Sequence, residues 1–289
     1  MARINPKVDI VFKKLFGSKE NEDILLAFVN SLLPEEEQVA KVTIRNPYNL
    51  PDYISGKLSI LDIKAEDENG TIYDIEMQVT EQGFYGKRAL YYWGKTYTGQ
   101  IDSGEMYSKL RKTIMISILD FDYFREDERY HRIIRPLDID TKNGYEELDF
   151  MELHFLELKK FKTDIKHIKT ALERWAIFLS KAYEFDKNNI PEELAGDEAV
   201  KSALEKLEIM YLDKEEFELY EAEQKAIWDE KEKVRTALEK GLRKGKAEGL
   251  QEGMEKGKAE GLQEGEKKAK LEIAKNLLDV LDNETIAQK

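Results

Sequence analysis

Apolar residues along the chain change their period several times, and each change marks an element. Ile24, Leu25, Phe28, Val29, Leu32 and Leu33 recur at helical spacing and Pro34 ends the run, so 21–33 reads as an amphipathic helix. Ala40, Val42 and Ile44 alternate with Lys41, Thr43 and Arg45, the period of a half-buried strand. Two further alternating runs flank Asn69-Gly70, a hairpin signal. Positions 86–107 predict a helix whose apolar stripe is Leu90, Trp93, Tyr97 and Ile101, and the apolar run Thr113–Leu119 predicts a buried strand. Helix, three strands, helix, strand is the order of a mixed sheet with helices packed on it. A strand-like run follows at 148–158, then helices at 165–181, 196–211 and 214–240, with Trp175, Phe178, Leu204, Leu207, Phe217 and Trp228 as packing residues.

Beyond residue 240 the pattern changes. Glycine stands at 241, 245, 249, 253, 257, 261 and 265, and the octet KAEGLQEG occurs twice, from Lys246 and from Lys258. In a helix each four-residue step advances 400°, so the glycines drift around the axis and make no fixed face. Seven interior glycines cost roughly 6–7 kcal/mol relative to alanine. The segment therefore reads as a solvated low-complexity tail or as a helix stabilised by close association with a partner. Leu271, Ala274, Leu278 and Leu281 resume a short amphipathic stretch. The expected organisation is a core domain at 1–160, a helical region at 161–240 and the tail at 241–289.

The chemistry concentrates in the hairpin at 61–79. Leu61, Ile63 and Ala65 alternate with Asp62, Lys64 and Glu66; Tyr73, Ile75, Met77 and Val79 alternate with Asp74, Glu76 and Gln78. Register decides whether the polar faces coincide. A two-residue Asn-Gly loop sets Asp62 opposite Met77. A three-residue loop, Glu68-Asn69-Gly70 with Gly70 left-handed, sets Asp62 opposite Glu76 and Leu61 opposite Met77. Burial of the apolar faces selects the second register, because a one-residue slip would exchange the faces. Asp62, Lys64, Asp74, Glu76 and Gln78 then share one surface, with directly opposed Cβ atoms about 5 Å apart. Opposed carboxylates are tolerable around a divalent cation with oxygen ligands. A plain solvated face, with Lys64 neutralising Asp74, fits the same pattern.

These residues resemble the PD-(D/E)xK nuclease superfamily, and more specifically the Rpn family of recombination-promoting nucleases, also described as transposases. The resemblance rests on DIVFKKLFG from Asp9, on Leu61-Asp62 with Ile75-Glu76-Met77-Gln78, and on RALYY from Arg88. LHFLELK from Leu153, the Trp175 region and the glycine-every-four tail extend it. It implies a restriction-endonuclease-like α/β fold and a metal-dependent DNA endonuclease linked to recombination or mobile elements. Asp62 and Glu76 become metal ligands, with the Met77 carbonyl as a third, for one or two Mg2+ ions or Mn2+. Where the general pattern has a water-activating lysine, this chain has Gln78; Lys64 and Lys13 are candidates for the missing charge. Arg88, Tyr92 and Lys95, at i, i+4 and i+7 of a helix, suit phosphate contacts to double-stranded DNA; an ordinary helix surface would look the same. Pro51-Asp52 followed by Asp62-Ile63-Lys64 is a second match to the nominal motif, but Asp52 falls in an irregular segment whereas Asp62 and Glu76 meet across strands.

Composition bounds these readings. Net charge is −13, from 46 basic and 59 acidic residues. Positions 87–112 nevertheless hold Lys87, Arg88, Lys95, Lys109, Arg111 and Lys112 against Asp102 and Glu105, a local basic patch of the kind that nucleic-acid affinity needs. The absence of cysteine excludes disulfides and thiol chemistry. No apolar run approaches membrane-spanning length and no signal pattern opens the chain, so a cytoplasmic protein without membrane contact is expected. His131, His154 and His167 lack metal-ligand spacing, and Gly94-Lys95-Thr96 lacks the earlier glycine of a phosphate loop. The rival to an enzyme is a weak or inactive nuclease fold kept for DNA binding or for homo-oligomer formation through the tail.

Overall fold

Alternation along the strands sorts their side chains onto two faces of one sheet. The structure, a computed structural model, describes residues 4–46, 62–81, 83–185, 190–210 and 212–277, with the backbone alone at Asp62 and Leu277. Helices α1 (Asp9–Phe16) and α2 (Glu22–Leu32) precede strands β1 (Val42–Ile44), β2 (Asp62–Asp67) and β3 (Ile72–Gln78). Then come α3 (Tyr85–Thr98), β4 (Thr113–Leu119), β5 (His131–Ile134) and β6 (Met151–Glu157). Four α-helices follow among the described residues: α4 (Ala171–Lys181), α5 (Glu192–Ala195), α6 (Glu198–Ile209) and α7 (Lys214–Leu277). The six strands lie in the order β1-β2-β3-β4-β6-β5. β3, β4 and β6 run parallel, while the β1–β2, β2–β3 and β5–β6 pairs are antiparallel. The expected mixed α/β core is the observed one.

One face of the sheet carries the larger core. Ile63, Ala65, Ile75, Met77, Ile116 and Ile118 pack there with buried residues of α1, α2, α4 and α6. At its centre the rings of Phe16, Phe28, Trp175 and Phe178 meet with centroids 5.4–6.3 Å apart. Aromatic pairs at such spacing add to the stabilisation that area burial gives. The opposite face holds a smaller cluster of Tyr85, Ala89, Met115, Leu119, Phe121, Leu153 and Phe155, beneath α3.

Several expectations shift in detail. α3 stops at Thr98 rather than running to 107, because Gly99 closes it by donating its N–H to the Lys95 carbonyl, and a Cβ there would sit 2.9 Å from that oxygen. α4 begins at Ala171 rather than 165, set by a capping box between Thr170 and Glu173. Phe217 and Trp228 are exposed, since α7 turns a different side to the core: Glu216 pairs with Lys14 at 2.5 Å, and the Tyr220 hydroxyl accepts the Asn5 N–H. β5 has no counterpart in the alternation pattern. It is a four-residue edge strand with Ile133 and Ile134 partly exposed.

The chain divides into two compact units, residues 1–228 and 229–289. In the second unit the glycine repeat is helical rather than irregular, up to Leu277, and Leu238, Leu242, Leu250, Met254 and Leu262 are exposed along it. Pairs such as Lys244–Glu248 and Lys268–Glu264 support that helix by a few tenths of a kcal/mol each. Leu278 and Leu281 lie outside the described residues.

Candidate active site

The hairpin has the three-residue loop. Asp62 pairs with Glu76, Ile63 with Ile75 and Lys64 with Asp74. The loop closes through Gly70 N–H to the Asp67 carbonyl, with Gly70 at φ +85°, a conformation that glycine adopts without strain. The Asp67 carboxylate accepts from the N–H groups of Asn69 and Thr71 and from the Tyr73 hydroxyl, which fixes the turn. The expected pairing of Leu61 with Met77 lies outside the described residues, as does Asp52.

The polar face of β3 is not solvated. Asp74, Glu76 and Gln78 are 1%, 0% and 5% exposed, because α3 lies over them. Burying carboxylates requires hydrogen bonds in return, and α3 supplies them. Thr96 Oγ1 donates to Asp74 Oδ2 at 2.5 Å, Tyr85 donates its hydroxyl to Glu76 Oε2 at 3.0 Å, and Arg88 Nη2 reaches Glu76 Oε1 at 3.2 Å. Gln78 Nε2 lies 3.0 Å from Glu76 Oε1 and 3.1 Å from the Met77 carbonyl. Burial pushes the Tyr85 phenol well above its usual pKa and the neighbouring Glu76 charge adds to this, so the hydroxyl stays a donor.

This arrangement explains why α3 is rotated from its expected stripe. Its buried positions are Tyr85, Ala89 and Thr96, while Leu90 is 48% exposed. A helix covering carboxylates must aim hydroxyls at them, and Ala89 lets its backbone come close. Tyr85 and Thr96 were the site residues the apolar stripe concealed; their spacing with Ala89 and Tyr92 at i, i+4, i+7 and i+11 was the available signal.

Glu76, Gln78, the Met77 carbonyl and Arg88 converge, and the ladder sets Asp62 directly across from Glu76. Lys64 is one ladder step away, opposite Asp74. Lys13 is buried on α1, its Nζ 3.5 Å from Asp9. Lys95 is exposed two turns along α3 from Arg88, and Tyr92 is half-buried against the smaller cluster. Beside Gln78, the Asp120 N–H donates to its carbonyl at 2.8 Å, and the Asp120 carboxylate pairs with Lys7 at 3.1 Å. Among the described residues no group of three or more His, Cys, Asp or Glu side chains is placed to hold a metal. The described donors at the hairpin, the Glu76 carboxylate and the Met77 carbonyl, are oxygens, a chemistry that fits a hard divalent cation.

Residues 6–237 match a family model described as PD-(D/E)XK nuclease family transposase. The chain belongs to this family. The match spans the whole sheet, both faces and the start of α7, in agreement with the resemblance read from the sequence. Membership of a PD-(D/E)XK nuclease family supports a nuclease- or transposase-related function acting on DNA, in a class that generally uses divalent metals. Neither the curated proteins nor the solved structures gave a match. No helix among the described residues is long and apolar enough to cross a membrane.

Proposed function

We propose that this PD-(D/E)XK family member is a metal-dependent DNA endonuclease whose active site is the polar face of the β2–β3 hairpin. The observation that carries the reading is the register: Asp62 stands opposite a Glu76 that is fully buried and held on both oxygens. Asp62, Glu76 and the Met77 carbonyl would hold one or two Mg2+ ions, or Mn2+. Bound there, the metal supplies polarisation of the phosphodiester and a lowered pKa for an attacking water. Tyr85 and Arg88 fix the Glu76 carboxylate in one orientation. Gln78 orients the water by hydrogen bonding. Arg88, 21% exposed and 3.2 Å from Glu76, takes over the positive charge that Gln78 lacks. Lys64 is its neighbour on the ladder, and Lys13 keeps the same candidacy from α1. Arg88 and Lys95, with Tyr92 between them, contact phosphates of duplex DNA. A role in recombination, a cytoplasmic location and self-association through the tail belong to the same reading, as does a nuclease domain within 1–160.

One observation favours a nuclease fold kept for binding: the Gln78 amide is turned back onto Glu76 and the Met77 carbonyl. Incubating the full chain with plasmid and Mg2+, alongside Asp62→Ala and Glu76→Ala, separates the two. Cleavage lost in both variants and abolished by chelator is expected. Equal residual cleavage in all three proteins would leave only the binding reading.

A further inference from the structure

The N-terminal end of α3 carries a feature that the site's chemistry does not use. Phe84, which starts the helix, has φ 65° and ψ 29°, the left-handed region, and its side chain is 77% exposed. Among the described residues only Lys142 is another non-glycine with positive φ. An aromatic side chain is strained there, and Gly83 next to it would adopt the same conformation freely. The ring gains no burial in return. Strain kept at an exposed aromatic residue directly before Tyr85, the hydroxyl donor to Glu76, motivates a functional reading.

Phe84 also does not stand alone. Lys87, Arg88, Tyr91 and Lys95 follow it at i+3, i+4, i+7 and i+11, one stripe of the helix. Tyr91 is 66% exposed, and the Lys87 ammonium lies 5.1 Å from the centroid of the Phe84 ring. Tyr85–Thr98 contains no acidic residue, although the chain as a whole carries −13. The stripe thus alternates exposed rings with cations, and its Arg88 reaches Glu76.

We propose that this ridge binds an unpaired stretch of DNA, with Phe84 and Tyr91 stacking on bases while Lys87 and Lys95 contact phosphates. The inference rests on the nuclease reading of the adjacent site and narrows its substrate to DNA that carries a single-stranded segment. The chemistry selects this occupant. Cations serve duplex and single strand alike, but bases inside a duplex are stacked on one another and offer only their edges, whereas an unpaired base presents a face to a ring. A protein partner fits less well, because lysine is depleted in the cores of such interfaces.

The test needs no cleavage. The full chain is titrated, in the presence of chelator, into a single-stranded oligonucleotide carrying 2-aminopurine, into the matching perfect duplex, and into that duplex with a single-stranded flap. The single strand and the flap are expected to bind more tightly than the duplex, with a change in 2-aminopurine fluorescence that reports stacking. Phe84→Gly removes the ring while relieving the backbone, so its thermal unfolding should not worsen. It should weaken single-strand binding by about five- to a hundred-fold, the range of one stacked base. Phe84→Trp should restore binding. Single-strand binding no tighter than duplex, or unchanged in both Phe84→Gly and Tyr91→Ala, overturns the proposal. The two readings fail separately. Ring-dependent binding without Mg2+-dependent cleavage of either the plasmid or the flap duplex keeps the ridge and removes the nuclease, and cleavage of either with ring-independent binding does the reverse.

Discussion

Two glutamates on the same face of the sheet, Glu76 on β3 and Glu157 on β6, are both completely buried, yet they are held in different ways. Glu157 Oε1 accepts the backbone N–H groups of Tyr123 and Phe124 at 2.6 and 3.0 Å and pairs with Lys160 at 3.0 Å; its Oε2 takes Arg132 at 3.1 Å. Both cations are themselves buried, and the Arg132 guanidinium lies 4.1 Å from the Phe124 ring centroid. That carboxylate staples the chain after β4 and the edge strand β5 to β6. Glu76 is instead held by side chains alone, a hydroxyl, an amide and a guanidinium that is one-fifth exposed. Burial alone therefore does not distinguish the two carboxylates. The kind of partner does.

Crossed substitutions probe that contrast most strongly. Glu157→Ala leaves a buried guanidinium and two N–H groups without their acceptor and should cost about 3–5 kcal/mol in urea unfolding. Glu76→Gln keeps the shape and one of the two acceptor oxygens, should shift stability by about 1 kcal/mol, and should bring plasmid cleavage to background. Similar stability losses in the two variants would erase the distinction.

A third buried carboxylate, Glu152, sharpens it from the opposite face. Burial favours its neutral form, but hydrogen bonds from His154 and Arg135, with the charges of His154 and Lys112, hold it down to about 2. His154 also bonds His131, whose pKa is lowered to about 4, by burial first and then by the His154 charge. Both groups have depressed folded-state values, so the stability they give is present above their unfolded values and lost as pH falls. For His131 the loss runs from about 6.5 to 4 and amounts to on the order of 3 kcal/mol; for Glu152 it follows below about 4.5. Urea midpoints between pH 7 and 4 should fall in the wild type and fall less in His131→Leu. A flat wild-type profile over that window would exclude a neutral buried His131.

The smallest expected effect belongs to Tyr85→Phe, which removes one donor to Glu76. Stability should drop by about 1 kcal/mol and the cleavage rate by roughly tenfold. An unchanged rate would mean that Tyr85 serves packing alone.

The hairpin register was legible in the sequence because both strands alternate strictly and a one-residue slip would set apolar positions opposite polar ones. Family membership was legible because its motifs recur in order along the chain, on α1, the hairpin, α3, β6 and α4. The face of α3 was not. Hydrophobic spacing favoured Leu90 and Tyr97, whereas the helix is oriented by the hydrogen bonds that Asp74 and Glu76 demand, a tertiary requirement that periodicity does not encode. β5 was invisible because a four-residue edge strand has too few positions to show a period. The tail was open in the sequence between a solvated segment and a helix, since seven glycines weigh against a helix; it is helical up to Leu277.

The cover over Glu76 is also close to it along the chain. Tyr85 and Arg88 are 9 and 12 residues away and Thr96 is 22 residues from Asp74, whereas Arg132, Phe124 and Tyr123 stand 25, 33 and 34 residues before Glu157, with Lys160 its near neighbour at i+3. Closing short loops carries the smaller entropy penalty, and local contacts are the ones that form early. During synthesis β2, β3 and α3 emerge together and can meet before β6 exists. The hairpin and α3 can thus associate as a local unit, to which the parallel strands and the Glu157 contacts are added as they are made.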